Sequence, residues 1–302
     1  MINWLRIALF ALVLALVSLV LMPIQIVCLW LNLRLRRLLP RYWHRMACYL
    51  LGIKVRVHGM PGRRRPLLLC SNHASWKDIL VLSSVADVVF VAKSEVKEWP
   101  VFGPLARLQA SIFVVREQKR ATGKQVSEIG QRLADGEIVV LFPEGTTSDG
   151  NRLLEIKTSL FGAAASAVPH SPTGMVHVQP VAISYTGIHG MPMGRFNRPI
   201  AAWPGDTGLV PHLLGILREG AIEVDVDFGE AIDYDHHTNR KEVSRVIEQR
   251  IRSMLSDRLR GRASDRQRRG RTAGEKTSNP ARFALKNRHD PGNSSSDDAR
   301  NG

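Results

Sequence analysis

Cysteine is scarce in this chain of 302 residues. Its three cysteines, Cys28, Cys48 and Cys70, each lie in or beside an apolar segment and are far apart in sequence. This spacing gives neither a disulfide framework nor a C-x-x-C metal motif, so we interpret them as buried thiols. The DYDHH cluster at residues 233–237 is isolated in a predicted loop, and we expect no metal site and no cofactor.

Acidic residues are also few beside the basic ones. Lysine and arginine number 42 against 27 aspartates and glutamates, which gives a net charge of +15 and a pI near 10.4. Such an excess favours an anionic partner, which is a nucleic acid, an anionic lipid, or an acidic protein or substrate. Composition alone does not choose among them.

Charged residues are absent between Ile7 and Leu33. The run reaches the roughly 20 apolar residues that a transmembrane helix needs, and it is too long for a signal peptide. Pro23 and Gln25 divide it, so a pair of shorter helices embedded in one leaflet is the alternative to a single span. Arginine precedes the run once, at Arg6, and follows it at Arg34, Arg36, Arg37, Arg41 and Arg45. The positive-inside rule therefore predicts that the rest of the chain faces the cytoplasm.

Beyond residue 50, short apolar segments rich in β-branched residues alternate with segments of helical spacing. The strand-like segments are YLLGIKVRVHG, PLLLCS, VVFVAKS, ASIFVVRE, EIVVLFPEG and VHVQPVAISY. Helical spacing occurs in SWKDILVLSSV and over residues 122–134 and 157–167. This alternation predicts an α/β fold with a mixed, mostly buried sheet covered by helices. A site is expected at the loops that leave the strands.

The composition predicts three regions. Residues 1–49 form a membrane-anchoring helical segment with a basic collar, residues 50–257 an α/β domain, and residues 258–302 a basic disordered tail. The tail begins with RLRGRASDRQRRGR, which has seven arginines in fourteen residues. We expect its contact to be an anionic membrane surface and expect no nucleic acid. The alternative of another class is a non-catalytic membrane protein whose tail recruits nucleic acid or acidic partners.

The segment CSNHASWKDIL, residues 70–80, interrupts the apolar pattern with polar side chains. Ser75 and Asp78 have the S-x-x-D spacing of a helix cap, which explains neither Asn72 nor His73. An aspartate in the first helical turn can instead accept a hydrogen bond from one ring nitrogen of His73. The other nitrogen is then free to take a proton from a hydroxyl. The segment therefore predicts either a cap or a general base that needs no serine or cysteine nucleophile.

Two further strand ends carry polar residues. In LFPEGTTSDGN, residues 141–151, Glu144 directly follows a predicted buried strand, although a Pro/Gly turn is the simpler interpretation. Gly145 and the two threonines after it offer N–H and hydroxyl groups that suit an acceptor or a phosphate. In ASIFVVRE, Arg116 ends a strand, where a solvated arginine is common.

Together these motifs resemble the glycerolipid acyltransferase family, the lysophosphatidic acid acyltransferase group, from about Leu50 to Asp233. The matching blocks are NHASWKD at Asn72, His73 and Asp78, ASIFVVR at Phe113 and Arg116, FPEGTTS at Phe142 to Thr146, and VQPVAISY at Pro180. Lys93 also falls where the family commonly has a lysine. The chain departs from the family at Ala110, where glycine is usual, and at Thr147, where arginine is usual.

The resemblance implies a lysolipid O-acyltransferase. His73 would deprotonate the acceptor hydroxyl, Asp78 would hold the imidazole, and the oxygen would attack an acyl thioester without a covalent acyl-enzyme. Backbone N–H groups at the helix start after His73 are the expected stabilisers of the tetrahedral intermediate. Substrate-binding roles are implied for Asn72, Lys93, Phe113, Arg116, Glu144, Gly145, Thr146 and Thr147.

The segments FPEGTTSDGNRLL, SLFGAA and ISYTGIHGMPMGRFNRPIAAWPGD resemble the bacterial lyso-ornithine lipid O-acyltransferases. Their acceptor is an amide-linked 3-hydroxy fatty acid on ornithine, acylated at the 3-hydroxyl. Threonine at 147 fits this phosphate-free acceptor, because it cannot grip a phosphate as arginine does. Arg116 suits either head group, so 1-acyl-sn-glycerol 3-phosphate, giving phosphatidic acid, stays the alternative.

The bacterial resemblance implies acyl carrier protein as the donor, with acyl-CoA as the alternative. Both are anionic, so the basic chain would attract either one. The expected location is the bacterial inner membrane, with the catalytic domain facing the cytoplasm.

Overall fold

The computed structural model describes residues 2–114, 121–205 and 207–262. The helices within these residues are α1 (Ile2–Trp30), α2 (Leu35–Leu50), α3 (Lys77–Val85), α4 (Phe102–Leu108), α5 (Ala121–Ala134), α6 (Gly162–Ala167), α7 (Arg198–Ala201), α8 (Leu209–Glu219) and α9 (Arg240–Leu259). The strands are β1 (Ile53–His58), β2 (Leu67–Ser71), β3 (Val88–Lys93), β4 (Ile112–Val114), β5 (Ile138–Leu141), β6 (Val176–Ile188), β7 (Met191–Pro192), β8 (Ile222–Phe228) and β9 (Ile232–Tyr234). Arg116 and the predicted tail from residue 263 onward lie outside the described residues.

The strands form one mixed sheet in the order β1-β8-β6-β2-β5-β3-β4, and β7 and β9 also pair with β6. The part of the sheet from β6 through β2, β5 and β3 to β4 is parallel throughout. Strand β6 is antiparallel to its other partners, β7, β8 and β9. The mixed sheet expected from the sequence is confirmed. Because parallel strands end at the same edge, the loops after β2, β3, β4 and β5 meet there.

Helices cover both faces of the sheet, and β2 illustrates why. Leu67 and Leu69 contribute to a core that includes residues of α2, α3 and α8. Leu68 and Cys70 point to the opposite face and join a core with residues of α5, α6 and α9. A strand buried on both faces reads as a continuous apolar run, which is the pattern that predicted it.

Strand β6 is longer than its sequence pattern indicates. Its parallel pairing with β2 ends at the pair Ser71 and Val181, but the strand continues to Ile188 alongside β8. The second half of β6 therefore extends past the end of β2. There it lies beside the loop that follows β2, where the polar segment begins.

The apolar N-terminal run is one helix, α1, with Pro23 inside it. Residues Trp4–Trp30 are long and apolar enough to cross a membrane. Most of their side chains are exposed or half-buried, and Gln25 and Cys28 near the end of the helix are buried. At both ends α1 contacts the rest of the fold. Arg6 donates to the carbonyl oxygens of Leu217 and Arg218, Trp43 donates to Ser18, and Gln25 donates to the carbonyl oxygens of Arg36 and Leu108. Helix α1 thus lies along α2, α4 and α8 for about 28 Å, the rise from Arg6 to Gln25.

Candidate active site

The central feature of the site is a buried carboxylate that accepts four hydrogen bonds. Asp78, in the first turn of α3, accepts at Oδ2 from His73 Nδ1 at 2.8 Å and from the N–H groups of Ala74 and Ser75 at 2.7 and 2.9 Å. Its Oδ1 accepts from the Tyr185 hydroxyl at 2.7 Å. A carboxylate surrounded by donors assigns the hydrogen of the imidazole to Nδ1. Nε2 is then the nitrogen with a lone pair for a proton.

The structure contains the contacts that both interpretations of the NHASWKD segment require. Asp78 caps the start of α3 by accepting from backbone N–H groups, and the same oxygen orients His73. The cap also uses the N–H groups of Ala74 and Ser75, which were expected to stabilise a tetrahedral intermediate. These two donors already point at Asp78.

Glu144 fixes the backbone of His73 from the next strand. Its Oε1 accepts from the His73 N–H at 2.6 Å, and its Oε2 accepts from the Leu154 N–H at 2.7 Å. The Ser148 N–H donates to the His73 carbonyl at 2.8 Å, so both backbone polar groups of His73 have partners in the segment after β5. Burial raises the pKa of Glu144 to about 7, although its two backbone bonds act in the opposite direction. This carboxylate binds the protein and not solvent.

The imidazole plane is set by an aromatic neighbour. The ring of His73 stacks on Phe142, with centroids 4.0 Å apart and planes 17° from parallel. Phe142 is buried and stacks in turn near Phe90 of β3. The side chain of His73 keeps 19% of its surface exposed, which leaves the ring accessible to a substrate.

Asn72 lies at the end of β2, where its side chain joins β2 to β6. The amide nitrogen donates to the Ile183 carbonyl at 2.9 Å, and the amide oxygen accepts from the Ile183 N–H at 2.7 Å. These bonds satisfy the backbone of β6 at the point where it passes the end of β2.

Lys93 and Phe113 lie on the same edge of the sheet, on β3 and β4. In the register of these strands Ala92 is opposite Phe113 and Lys93 is opposite Val114. The ammonium of Lys93 is half-exposed and pairs with Glu95 at 2.8 Å. Arg116 follows β4 but lies outside the described residues.

The turn after Glu144 lies next to the segment that follows α7. Gly145 has a φ of +74°, a left-handed conformation that favours glycine. Thr146 is exposed beside Gly205, and Thr147 is buried, with 8% of its surface accessible. An arginine side chain at this buried position would need more room than the threonine side chain occupies.

Sequence patterns did not identify three residues of this site: Lys77, Phe142 as a ring neighbour, and Tyr185. Lys77 is fully buried, and its ammonium donates to Ser75 Oγ at 3.0 Å and to the Ala201 carbonyl of α7. Burial lowers its pKa to about 7, although the charge of Asp78 raises it. A tyrosine in an aliphatic strand is the signal that could have identified Tyr185, because a buried phenol needs a partner.

The geometry supports proton transfer at His73 Nε2. Within residues 2–114, 121–205 and 207–262, no cluster of three or more histidine, cysteine, aspartate or glutamate side chains could hold a metal ion. Asp78 binds the imidazole ring at Nδ1, whereas Glu144 and Ser148 bind the backbone of His73.

Comparisons with known proteins identify the family of this chain. The family model described as Acyltransferase matches residues 54–184. The lyso-ornithine lipid O-acyltransferase of Rhizobium meliloti (strain 1021) is 80% identical over 263 residues, which are 87% of this chain and 90% of the relative. The protein of the same name from Brucella abortus (strain 2308) is 50% identical, over 87% of this chain and 98% of the relative.

A solved structure has the same fold. The 1-acyl-sn-glycerophosphate acyltransferase of Thermotoga maritima matches with a TM-score of 0.55 over 84% of this chain and 95% of that one, at 22% identity. The resemblance expected from the four motifs is confirmed. The chain belongs to the Acyltransferase family and is an acyltransferase.

Proposed function

We propose that the enzyme transfers a fatty acyl group from a thioester to the 3-hydroxyl of lyso-ornithine lipid, giving ornithine lipid. The observation that carries this proposal is a histidine held at Nδ1 by a buried aspartate, in a chain 80% identical to a lyso-ornithine lipid O-acyltransferase. This acyl transfer needs a base for a hydroxyl, and Nε2 of His73 is that base.

In the proposed reaction the Nε2 lone pair of His73 takes the proton of the acceptor hydroxyl while its oxygen attacks the thioester carbonyl carbon. Asp78 stabilises the imidazolium that forms. When the tetrahedral intermediate collapses, the C–S bond breaks, and the imidazolium returns the proton to the departing thiolate. An ester and a free thiol result, and His73 is neutral again.

Thr147 supports a phosphate-free head group. Its side chain is short and buried, and it lies where the family usually has an arginine. In this proposal Arg116, Lys93, Phe113 and the accessible part of the turn, Gly145 and Thr146, surround the acceptor. The buried Asn72 and Glu144 position the loop that carries His73. The rival acceptor, 1-acyl-sn-glycerol 3-phosphate, would need Lys93 or Arg116 to bind the phosphate without help from position 147.

Acyl carrier protein is the donor we propose, mainly on the resemblance to the bacterial lyso-ornithine lipid O-acyltransferases. The net charge of +15 would attract this acidic protein, although it would also attract acyl-CoA. We further propose that residues 1–49 anchor the enzyme in the bacterial inner membrane, with residues 50–257 in the cytoplasm and residues 258–302 as a basic tail. Contacts at both ends of α1 support a helix embedded in one leaflet, because a helix crossing the bilayer would meet the domain at one end.

The test uses membranes that contain the enzyme, acyl carrier protein loaded with labelled fatty acid, and both acceptors in parallel. We expect label in ornithine lipid and none with the His73→Ala enzyme. Label mainly in phosphatidic acid would contradict the proposed acceptor but would be consistent with the proposed proton transfer to His73. Acyl-CoA supplied in place of the carrier protein tests the donor separately.

A further inference from the structure

Three apolar side chains project from the segment between β6 and α8. Phe196 is 97% exposed, Met191 is 64% exposed and Ile200 is 43% exposed. We call Met191, Phe196 and Ile200 the apolar tip. A phenylalanine that contacts almost nothing in its own fold marks a surface for another apolar phase.

The tip is held firmly, which distinguishes it from a loose loop. The buried guanidinium of Arg198 donates to the carbonyl oxygens of Tyr185 and Met193, at 3.1 and 2.8 Å, and also to the side chain of Asn151. Asn151 in turn donates to the Arg195 carbonyl at 3.2 Å. These bonds fix the backbone on both sides of Phe196, so its exposure is built into the fold.

The supports of the tip belong to the wall of the active site. Arg198 bonds the backbone of Tyr185, whose hydroxyl holds Asp78. A few residues further on, the Trp203 N–H donates to the Ala74 carbonyl at 2.6 Å, directly beside His73. The position of the tip is therefore tied to the position of the catalytic histidine.

The surface around the tip continues toward α1. Helix α7, which contains Ile200, packs against α8, and α8 packs against α1. Val210 of α8 is 64% exposed, and the far end of α8 receives the hydrogen bonds of Arg6 from α1. Exposed apolar side chains therefore occur on each of these packed elements: leucines on α1, Val210 on α8 and Ile200 on α7.

We propose that the apolar tip inserts into the membrane interface and forms a second contact with the bilayer, separate from α1. This inference rests on the membrane location in the proposed function. The exposed Arg195 next to Phe196 suits lipid phosphates, while the aromatic ring enters the acyl region. Two contacts hold the active-site wall against the bilayer, and a lysolipid reaches His73 without passing through water. An acidic carrier protein would instead favour a cationic surface over an apolar one.

The buried cysteines make a direct test possible. Cys28, Cys48 and Cys70 are all buried, so one engineered exposed cysteine can be labelled selectively. We would attach the fluorophore NBD to full-length Phe196→Cys, reconstituted in vesicles of phosphatidylethanolamine and phosphatidylglycerol. Quenching by nitroxides on the lipid acyl chains reports insertion. Leu12→Cys, on the exposed side of α1, is the reference, and Ser253→Cys, exposed on α9 at the other face of the sheet, is the matched control.

We expect quenching at positions 196 and 12 and none at 253. Quenching at 12 without quenching at 196 would overturn the tip and leave the membrane anchor intact. Absence of quenching at both 12 and 196 would overturn the anchor as well. If the fluorescence of a label at position 196 is unaffected by the lipid nitroxides and changes only when acyl carrier protein is added, the tip is a protein-docking surface and the proposal is wrong.

Function supplies the second measurement. Phe196→Asp keeps the fold, because the side chain is almost fully exposed, but it removes an inserted aromatic ring. We expect kcat/KM for a vesicle-embedded acceptor to fall about tenfold, the effect of losing one such apolar contact. An unchanged value in the same vesicles contradicts the proposal.

Discussion

At the residue scale, Asp78 combines two demands that usually fall on different side chains. It satisfies backbone N–H groups at the start of α3, and it orients the imidazole of His73. His73 itself is held mainly through its backbone, by Glu144 and Ser148. Loss of either side chain should therefore stop the reaction, but only the loss of Asp78 should also weaken the fold.

We expect His73→Ala to lower kcat/KM by about 10²–10⁴-fold, the usual contribution of a general base. Its thermal unfolding should stay close to that of the parent, because the backbone bonds of residue 73 survive. Asp78→Ala should lower activity as much and lose about 1–3 kcal/mol of stability for each donor left unpaired. Kinetics and calorimetry on the same preparations separate the two effects, and a His73→Ala enzyme with normal turnover would sink the mechanism.

Lys77 should make stability depend on pH. Burial lowers its pKa from 10.5 to about 7, so the unfolded chain holds a proton that the folded chain has lost between these values. Its contribution to stability is therefore present above about pH 10.5 and is lost as the pH falls through about 7. We expect Lys77→Met to flatten the rise of the melting temperature across this window.

The exposed Lys241→Met on α9 is the control for that experiment and should leave the slope unchanged. Parallel slopes in the parent and in Lys77→Met would show that the ammonium of Lys77 stays charged in its buried position.

At the element scale, the sequence predicts what is local and misses what depends on distant neighbours. The strand ends after β2 and β5 were placed correctly, because buried strands and polar turns alternate along the chain. Tyr185 was missed because its partner, Asp78, is more than a hundred residues away in sequence. Lys77 was missed for the same reason, since only the position of α7 decides that this side chain is buried. The bonds of Asn72 likewise depend on how far β6 runs past β2.

Packing between α5 and α6 offers a test at this scale with a built-in control. A Cβ at Gly130 would lie 2.4 Å from Ser166 Oγ and 3.0 Å from the backbone carbon of Ser166. We expect Gly130→Ala to destabilise the protein by about 1–3 kcal/mol through overpacking. A Cβ added at Gly162, in α6, would have no other atom within 4 Å. Gly162→Ala should therefore leave the free energy of unfolding unchanged or raise it by up to about 1 kcal/mol.

Chemical denaturation of both variants checks the pair. Equal stabilities would contradict the close approach of the two helices.

At the scale of the whole molecule, the proposed membrane binding has two sources, charge and apolar surface. The apolar face of α1 and the apolar tip offer insertion, whereas the net charge of +15 offers attraction to anionic lipid. The two forces respond differently to salt, because screening weakens only the electrostatic one.

Removing residues 263–302 should therefore weaken binding to anionic vesicles most at low salt. That segment contains nine of the 42 basic residues and five of the 27 acidic ones, so it contributes +4 to the net charge of +15. Flotation with vesicles at low and high salt measures the effect. Vesicles of zwitterionic lipid should bind the truncated and full-length chains equally, and a loss of binding there would assign the tail an apolar contact.

The four donors on Asp78 also affect how such an enzyme can lose its activity during evolution. A descendant that loses His73 keeps every bond that begins α3, so it can persist as a folded, inactive protein. A descendant that loses Asp78 first leaves a buried tyrosine and two N–H groups without an acceptor, and it should seldom survive. Among inactive relatives we therefore expect the aspartate to outlast the histidine, so a preserved aspartate alone is no sign of acyl transfer.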